Sequence, residues 1–434
     1  MRTRRHCRIL MFVQNVEIDR RPPLSKEQLT ALLGAWEGYR IGTVGRFEAG
    51  QKGPTAQAWI ELLPDDDHPM RCSGCGQFVT QVHETTQRWV RDLPILDAQT
   101  HLLVHRRRVL CPRCGPKLED LPWLGRYQRV TQRLARSIAR MCKILPVKHV
   151  AEYFGLDRKT VRRIDKAYLQ ETIGPPDLSG IEVIVMDEFA IQKGHRYATV
   201  IVEPTRKEVL WVGRGRGRED VRPFFELLGE EGRKRLRAVA MDMNGAYEEE
   251  VRAQCPNAEP VYDLFHVVAK YGREVIDRVR VDEANRLRGD KKARKVVKSS
   301  RWLLLRNAEN IKKERDRVRL SELLAANKAL ATVYVLKDDL KHLWDYWHKG
   351  YARQFWKQWY GRALRSRIEP LKKFARRLKE YLPGILAHCR WRLHTSLLEG
   401  INNKIKVIKR MAYGYRDDEY FFLKIRQAFP GVGS

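Results

Sequence analysis

At 434 residues the chain is long enough for several domains with buried cores. An apolar content of 43% excludes wholesale disorder, and no apolar run nears the roughly 20 residues needed to cross a bilayer. Its 84 basic against 53 acidic side chains leave a net charge of +31, spread along the whole chain, which points to a phosphate backbone as partner.

A merely solubilising charge excess and an anionic membrane surface are the rival accounts of that charge. Met1–Arg8 is basic, but the apolar run after it is only Ile9–Val13, too short for a signal peptide. A cytosolic or nucleoid protein with reduced thiols is expected. The first predicted helix is Ser25–Trp36, with Ser25 as N-cap and Glu27 in its first turn. A strand pair follows at Tyr39–Glu48 and Thr55–Leu63.

Two C-x2-C knuckles come next, Cys72-Ser-Gly-Cys75 and Cys111-Pro-Arg-Cys114, each followed by glycine (Gly76, Gly115). Two such turns supply four thiolates, enough to close a tetrahedral Zn²⁺ site with no position left open for chemistry. Between them Thr86–Asp92 and Leu102–Leu110 read as strands, which makes the segment a zinc ribbon. A redox dithiol, or His83, His101 or His105 in place of one cysteine, are the alternatives. Arg106, Arg107 and Arg108 would give the ribbon a phosphate-facing edge. Cys7, Cys142, Cys255 and Cys389 show no ligand spacing and read as buried free thiols.

Thr131–Gln170 reads as helices, and Val147–Tyr168 fits a helix-turn-helix. Ala151 permits close packing, Gly155 makes the turn, Asp157 caps the second helix, and Val161 and Ile164 seat it. Arg158, Lys159, Arg162, Arg163 and Lys166 would then face DNA. A plain amphipathic helical hairpin is the alternative.

Gly174-Pro175-Pro176 marks a boundary, after which the pattern becomes α/β. Strands are expected at Glu182–Asp187, Tyr197–Val202, Glu208–Val212, Leu236–Met241 and Glu259–Tyr262. Helices are expected at Asp220–Leu228, Glu248–Ala253 and from Leu264. That order suits an RNase H-like sheet. From about Arg280 to Cys389 the chain turns helical, basic and aromatic. Trp302, Trp344, Trp347, Trp356 and Trp359 at helical spacing read first as core and second as base-stacking platforms. The segment is read as an insertion that splits the α/β fold before its last helix.

Asp187 and Asp242 each close an apolar run, where an open sheet presents ligands at its carboxyl edge. Alternation turns Glu188 to the other face. The third acid lies in Thr395–Arg410, TSLLEGINNKIKVIKR. On a helix, Leu397, Leu398, Ile401, Ile405 and Ile408 form one stripe, and Glu399, Asn402, Asn403, Lys406 and Arg410 the opposite face. Three carboxylates of this kind could hold two Mg²⁺ or Mn²⁺ ions for phosphodiester chemistry. Taken singly, an aspartate after a strand is as readily a turn or helix-cap residue. Asp263-Leu-Phe-His266 adds an acid and a histidine at a strand-to-helix junction, where His266 could contact phosphate, orient a ligand or sit satisfied in the core.

Taken in order, CSGCG, CPRCG, the helix-turn-helix, VIVMDE, VAMDMNGAY, DLFHV and TSLLEGINNKIKVIKRMAYGY resemble the ISL3 family of bacterial insertion-sequence transposases from Leu32 to Arg426. The basic extension before Pro22 lies outside the likeness. The resemblance implies a DDE transposase: an N-terminal region with the zinc ribbon (1–125), helix-turn-helix (126–173), an RNase H-like catalytic domain in two parts (177–280 and 391–434) and an α-helical insertion (281–390). Asp187, Asp242 and Glu399 map onto its catalytic triad, and Asp263 and His266 onto its D-x2-H element. It further implies binding of terminal inverted repeats and target DNA. Two ends to be cut and joined call for at least a dimer. A zinc-ribbon DNA-binding regulator without catalysis, and a non-mobile RNase H-like nuclease, are the alternative functions.

Overall fold

The computed structural model describes Ser25, Gln28, Leu33, Gly34 and residues 36–51, 55–125, 128–192, 194, 196–393 and 396–431. The expected helix Ser25–Trp36 falls largely outside the described residues, as do Cys7 and the basic extension. At its start the Ser25 hydroxyl accepts from the Gln28 amide (3.2 Å) while the Gln28 side chain accepts from the Ser25 amide (2.8 Å), a reciprocal cap. The chain forms two compact units, one ending at Tyr168 and one beginning at Leu169.

The first unit is built on β1 (Tyr39–Phe47), β2 (Gln57–Pro64), β3 (Met70–Arg71), β4 (Phe78–Val79), β5 (Val82–Ile95), β6 (Ala98–Cys111) and β7 (Gly115–Leu118). Its main sheet runs β1-β2-β6-β5, with β7 also on β6. β5 and β6 form a long antiparallel hairpin that carries both expected ribbon strands and extends them. Period-2 alternation along β6 buries Leu102 and Val104 against Trp36, Ile60, Leu62 and Val90. Helices follow at Gln132–Cys142, Val147–Phe154 and Arg158–Thr172. Buried Asp92 in β5 ties the first of them to the sheet, accepting from the Thr131 hydroxyl (2.6 Å), the Arg133 Nε (2.7 Å) and the Trp36 indole (3.2 Å).

The second unit holds β8 (Val183–Gln192), β9 (Arg196–Glu203), β10 (Glu208–Arg214), β11 (Ala238–Met241) and β12 (Glu259–Tyr262). The sheet order is β10-β9-β8-β11-β12. β8, β9 and β10 pair antiparallel, whereas β11 runs parallel to both β8 and β12. The two faces are covered differently. Ile184, Met186, Val239 and Met241 pack with Phe224, Phe225, Tyr247 and Val251 of the helices Arg218–Arg235 and Gly245–Gln254, in a core that continues into the helical segment. Val185, Phe189, Val200, Ala240 and Val261 meet Leu398, Ile401 and Ile405 of the helix Ser396–Met411 and Phe421 and Ile425 of the helix Asp418–Ala428.

The aromatic, basic segment is helical, as its composition suggests. The helix from Leu264 runs on through a π-turn at Gly272–Ile276 to Arg286, and further helices follow to Ala387. Trp344, Trp356 and Trp359 are core; Trp302 and Trp347 are exposed. The short helix Leu382–Ala387 returns the chain to β12, with Gly384 so close that a Cβ there would stand 2.4 Å from the Tyr262 ring and 3.0 Å from the Pro260 carbonyl. An edge strand that would otherwise lie open is covered in this way.

Candidate active site

Alternation along β8 gives Asp187 the same face as Val185 and Phe189, under the helix Ser396–Met411. It does not end its strand, as the apolar run suggested. The hairpin with β9 carries β8 on to Gln192, so Asp187 sits mid-strand, just beyond the last pair with β11 at Val185. Its carboxylate is buried and held by two donors: the Asn402 side-chain amide at 2.6 Å and the Glu188 backbone amide at 2.8 Å. Burial raises the Asp187 carboxyl above the ordinary range; His266 and both hydrogen bonds act against that, and the Asp242 charge adds to it. Glu188 points the other way and pairs with Arg216 at 2.9 Å.

Asp242 follows β11, and the cap of the next helix is Asn244, whose side chain accepts from the Ala246 amide (3.1 Å). The capping role that an aspartate here could have filled is therefore taken by Asn244. Asp242 is partly open to solvent, with His266 Nδ1 3.6 Å from it, and His266 Nε2 lies 3.9 Å from Asp263. One imidazole thus stands between two acids from successive strand ends. Tyr247 belongs to this group and escaped the sequence reading. Its buried hydroxyl lies 2.6 Å from the Thr199 hydroxyl, and burial together with the charges of Glu188, Asp187 and Asp242 holds its ionisation well above the usual range. Its place in the first turn of the helix that Asn244 caps was the available signal.

The helix Ser396–Met411 has the expected stripe: Leu398, Ile401 and Ile405 are buried, Leu397 and Ile408 half-buried. Glu399, Asn403, Lys406 and Arg410 are exposed on its other side, and Asn402 reaches Asp187. Glu399 precedes Asn402 by three residues, so the two share a helix face. The three acids do not close into one cluster. Among the described residues, the group of three or more acid, histidine or cysteine side chains whose ligand atoms all lie within 4.8 Å is Cys72, Cys75, Cys111 and Cys114.

That cysteine group fits a tetrahedral metal. Zn–S bonds of about 2.3 Å imply sulfur separations of roughly 3.8 Å, and Cys75 Sγ lies 3.7 Å from Cys111 Sγ. The first knuckle sits in the β3–β4 hairpin and the second in the β6–β7 turn. Gly76 and Gly115 have φ of 73° and 69°, as the turn requires of glycine. The Gly74 amide points at Cys72 Sγ (3.3 Å). Burial pushes the Cys111 thiol up, but the amides of Cys114 and Arg113 and the neighbouring thiols overcome it and bring it down to about 7, while the Cys75 thiol and burial push Cys114 the other way. None of His83, His101 and His105 joins the group; His105 instead meets Glu61 at 2.9 Å. Cys142, Cys255 and Cys389 are buried and form no disulfide among the described residues.

The arginine edge needs correction. Arg106 and Arg107 are 2% and 3% exposed, and Arg107 is spent on Glu119 (2.6 and 3.0 Å). Arg106 continues the inward register of Leu102 and Val104, Arg107 is buried on the opposite face by its pairing with Glu119, and Arg108 alone is exposed, paired with Glu84 at 3.1 Å. The helix-turn-helix is as expected. Gly155 is left-handed (φ 58°), and a Cβ on it would stand 2.1 Å from the Gln99 amide nitrogen. The Asp157 carboxylate accepts from the Thr160 amide at 3.0 Å. Val161 and Ile164 are buried, Arg158, Lys159, Arg162 and Arg163 are exposed, and Lys166 is half-buried.

Comparison with known proteins covers the same parts in the same order. Residues 68–114 match the zinc-finger of transposase IS204/IS1001/IS1096/IS1165, residues 119–169 the helix-turn-helix domain of transposase family ISL3, and residues 184–425 the ISL3 transposase domain itself. The transposase for insertion sequence element IS1001 of Bordetella parapertussis is 55% identical over 411 residues, 93% of this chain and 98% of its own length. The transposase for insertion sequence element IS1557 of Mycobacterium tuberculosis is 26% identical over 415 residues, 90% of this chain and 92% of its own length. With the zinc ribbon, the helix-turn-helix and the acid-bearing α/β unit matched along nearly its whole length, the chain belongs to the ISL3 family of insertion-sequence transposases.

Proposed function

We propose that the protein cuts and joins the ends of its own insertion sequence, with Asp187, Asp242 and Glu399 as the catalytic acids of an RNase H-like fold. The observation that carries this reading is the 2.6 Å bond from Asn402 to Asp187. It fixes the helix of Glu399 over β8 at the level of the first acid, while β11 delivers the second on the same side of the sheet. A central antiparallel hairpin extended by two parallel strands, with an acid on the middle strand and one after its parallel neighbour, is the arrangement such a site needs. Residues 281–390 are then an insertion between the parts of one catalytic fold, 177–280 and 391–434.

The acids offer hard oxygen donors suited to Mg²⁺ or Mn²⁺, and a buried carboxylate whose protonation burial favours is one that a cation would return to its charged form. Two such ions, when bound, stabilise the attacking and leaving oxygens of a phosphodiester. Asn402 orients Asp187, His266 balances Asp242 and Asp263, and Lys406 and Arg410 give the exposed helix face positive charge for the strand. The cysteine group holds structural Zn²⁺. The exposed cations Arg158, Lys159, Arg162 and Arg163 read the terminal inverted repeats, and at least two copies assemble on paired ends.

The test is incubation of the protein with labelled DNA carrying its own element's ends and Mg²⁺ or Mn²⁺, beside Asp187→Ala, Asp242→Ala and Glu399→Ala. Nicks at the element boundary are expected from the wild type alone, with end binding kept in every variant. A variant that still cuts removes its residue from the site. Tight end binding without cleavage by any protein would favour a DNA-binding regulator.

A further inference from the structure

Beside the acid group the second unit holds a cavity of about 980 Å³, of whose lining only Asp263 has a role above. It lies between the start of the helix after β12, which contributes Phe265 and Gly272, and the helical insertion, which contributes Trp302 and Trp344. Its lining sorts by depth. Trp344 is buried at the back, and the Asp263 side chain, 8% exposed, closes the wall next to His266. Toward solvent stand Phe265 and Trp302, each 65% exposed although large and aromatic. Around them Arg273 is exposed with no hydrogen bond or ion pair among the described residues, and Arg392 lies over the Trp347 ring.

Trp302 is held in place rather than left loose. The Arg301 guanidinium lies 5.0 Å from its ring centroid and is fixed by Asp277 at 2.8 Å. The helix that carries it, Arg301–Leu305, ends on the buried Lys337 ammonium, which donates to the carbonyls of Leu304 (3.0 Å) and Arg306 (2.8 Å). On the other wall the π-turn begins at Gly272, where a Cβ would meet Leu305 at 2.8 Å. Such single-turn bulges interrupt helices mostly at working surfaces.

Rigid aromatics that stay exposed, an acid at the back and, at the mouth, the unpaired Arg273 beside Arg392, which donates to the Asp345 carbonyl (3.5 Å), suit a ligand with a flat apolar body and an anionic tether. An acidic back wall repels a phosphate, and the cations outside attract one. We propose that this cavity receives one nucleobase unstacked from the DNA next to the cut, stacked on Trp302 and Phe265 with its flanking phosphates on Arg273 and Arg392. His266 stands between Asp242 and Asp263, and Asp263 lines the cavity, so the cavity adjoins the acids. Stacking on the two aromatic rings offsets the cost of taking the base out of the duplex. The inference rests on the strand-cleavage reading above for which DNA enters, but not for its readout.

The test uses full-length protein and element-end duplexes with 2-aminopurine placed singly at each position flanking the boundary, in Ca²⁺ and without any cleavage step. Wild type is expected to change the fluorescence at one position, and Trp302→Ala and Phe265→Ala to abolish that change while their melting temperatures stay at the wild-type value. Trp302→Phe should keep it. Removing the opposite base, so that the probe is already unpaired, should restore the signal in Phe265→Ala. No responsive position with wild type, or a response that survives both alanine variants, overturns the proposal. If Glu399→Ala cuts normally while the fluorescence pattern holds, the assignment of the acids fails and the base pocket stands.

Discussion

Asp187 ties ionisation to folding. Its carboxyl is raised in the folded chain, chiefly by burial, so the folded state binds its proton more tightly than the unfolded state. A raised folded pKa contributes stability that is fully present below the unfolded value and is lost as pH rises through the folded one. Near neutrality the charged, metal-free carboxylate is therefore a cost. Asp187→Asn should raise the melting temperature of metal-free protein at pH 7 by roughly 1–3 °C, a gain that shrinks toward pH 4; unchanged melting at pH 7 would contradict it. Mg²⁺ should stabilise the wild type and leave this variant unmoved. Asn402→Ala removes a donor that favours the charged form. Its cleavage rate against pH should show the acidic limb displaced to higher pH, and an unmoved limb would detach Asn402 from the ionisation of Asp187. Tyr247 shows where reading residue by residue stops: VAMDMNGAY places it in the first turn of a helix after the acid, but its contact with Thr199 depends on how β9 and that helix meet.

Elements whose signals are local were legible in the chain. The knuckles, the Gly155 turn, the Asp157 cap and the stripe of the helix Ser396–Met411 all depend on neighbours within a turn or a hairpin. Gly155→Ala combines a left-handed backbone with a Cβ driven into Gln99. It should cost more than about 1 kcal/mol of stability and weaken end binding in the same variant; a neutral melting curve would mean that Gln99 moves aside freely. Cys72→Ser should lower the metal content from one zinc per chain to none and melt the first unit earlier, as metal analysis and calorimetry would show. Long-range features were not legible. Arg106 and Arg107 read as a basic edge, yet β6 turns Arg106 inward, and Glu119 from the far side of the second knuckle covers and neutralises Arg107 on the other face. The extent of β8 was missed because its last residues pair only with β9, and that hairpin's reach is set by the partner strand.

At the scale of the whole molecule, a charge of +31 makes DNA affinity a function of salt. Raising salt from about 50 to about 200 mM should weaken binding by roughly a thousandfold or more, with a linear slope of log affinity against log salt. A slope near zero would limit the charge to a solubilising role. The order of domains and the switch from helical to α/β patterning at Gly174 were open to sequence reading because composition changes there. The division of labour between the faces of the second sheet was not, since it joins residues 183–262 to residues 398–425.

That last pairing has a consequence during synthesis. One face of the sheet, with Phe189, Val200, Val209 and Ala240, waits for two helices that leave the ribosome only after the whole helical segment. Until then the nascent chain carries an uncovered apolar face, the condition under which sheets aggregate or recruit chaperones. A frameshift or stop codon just before Ser396 should therefore yield insoluble protein rather than a truncated fragment that still occupies DNA.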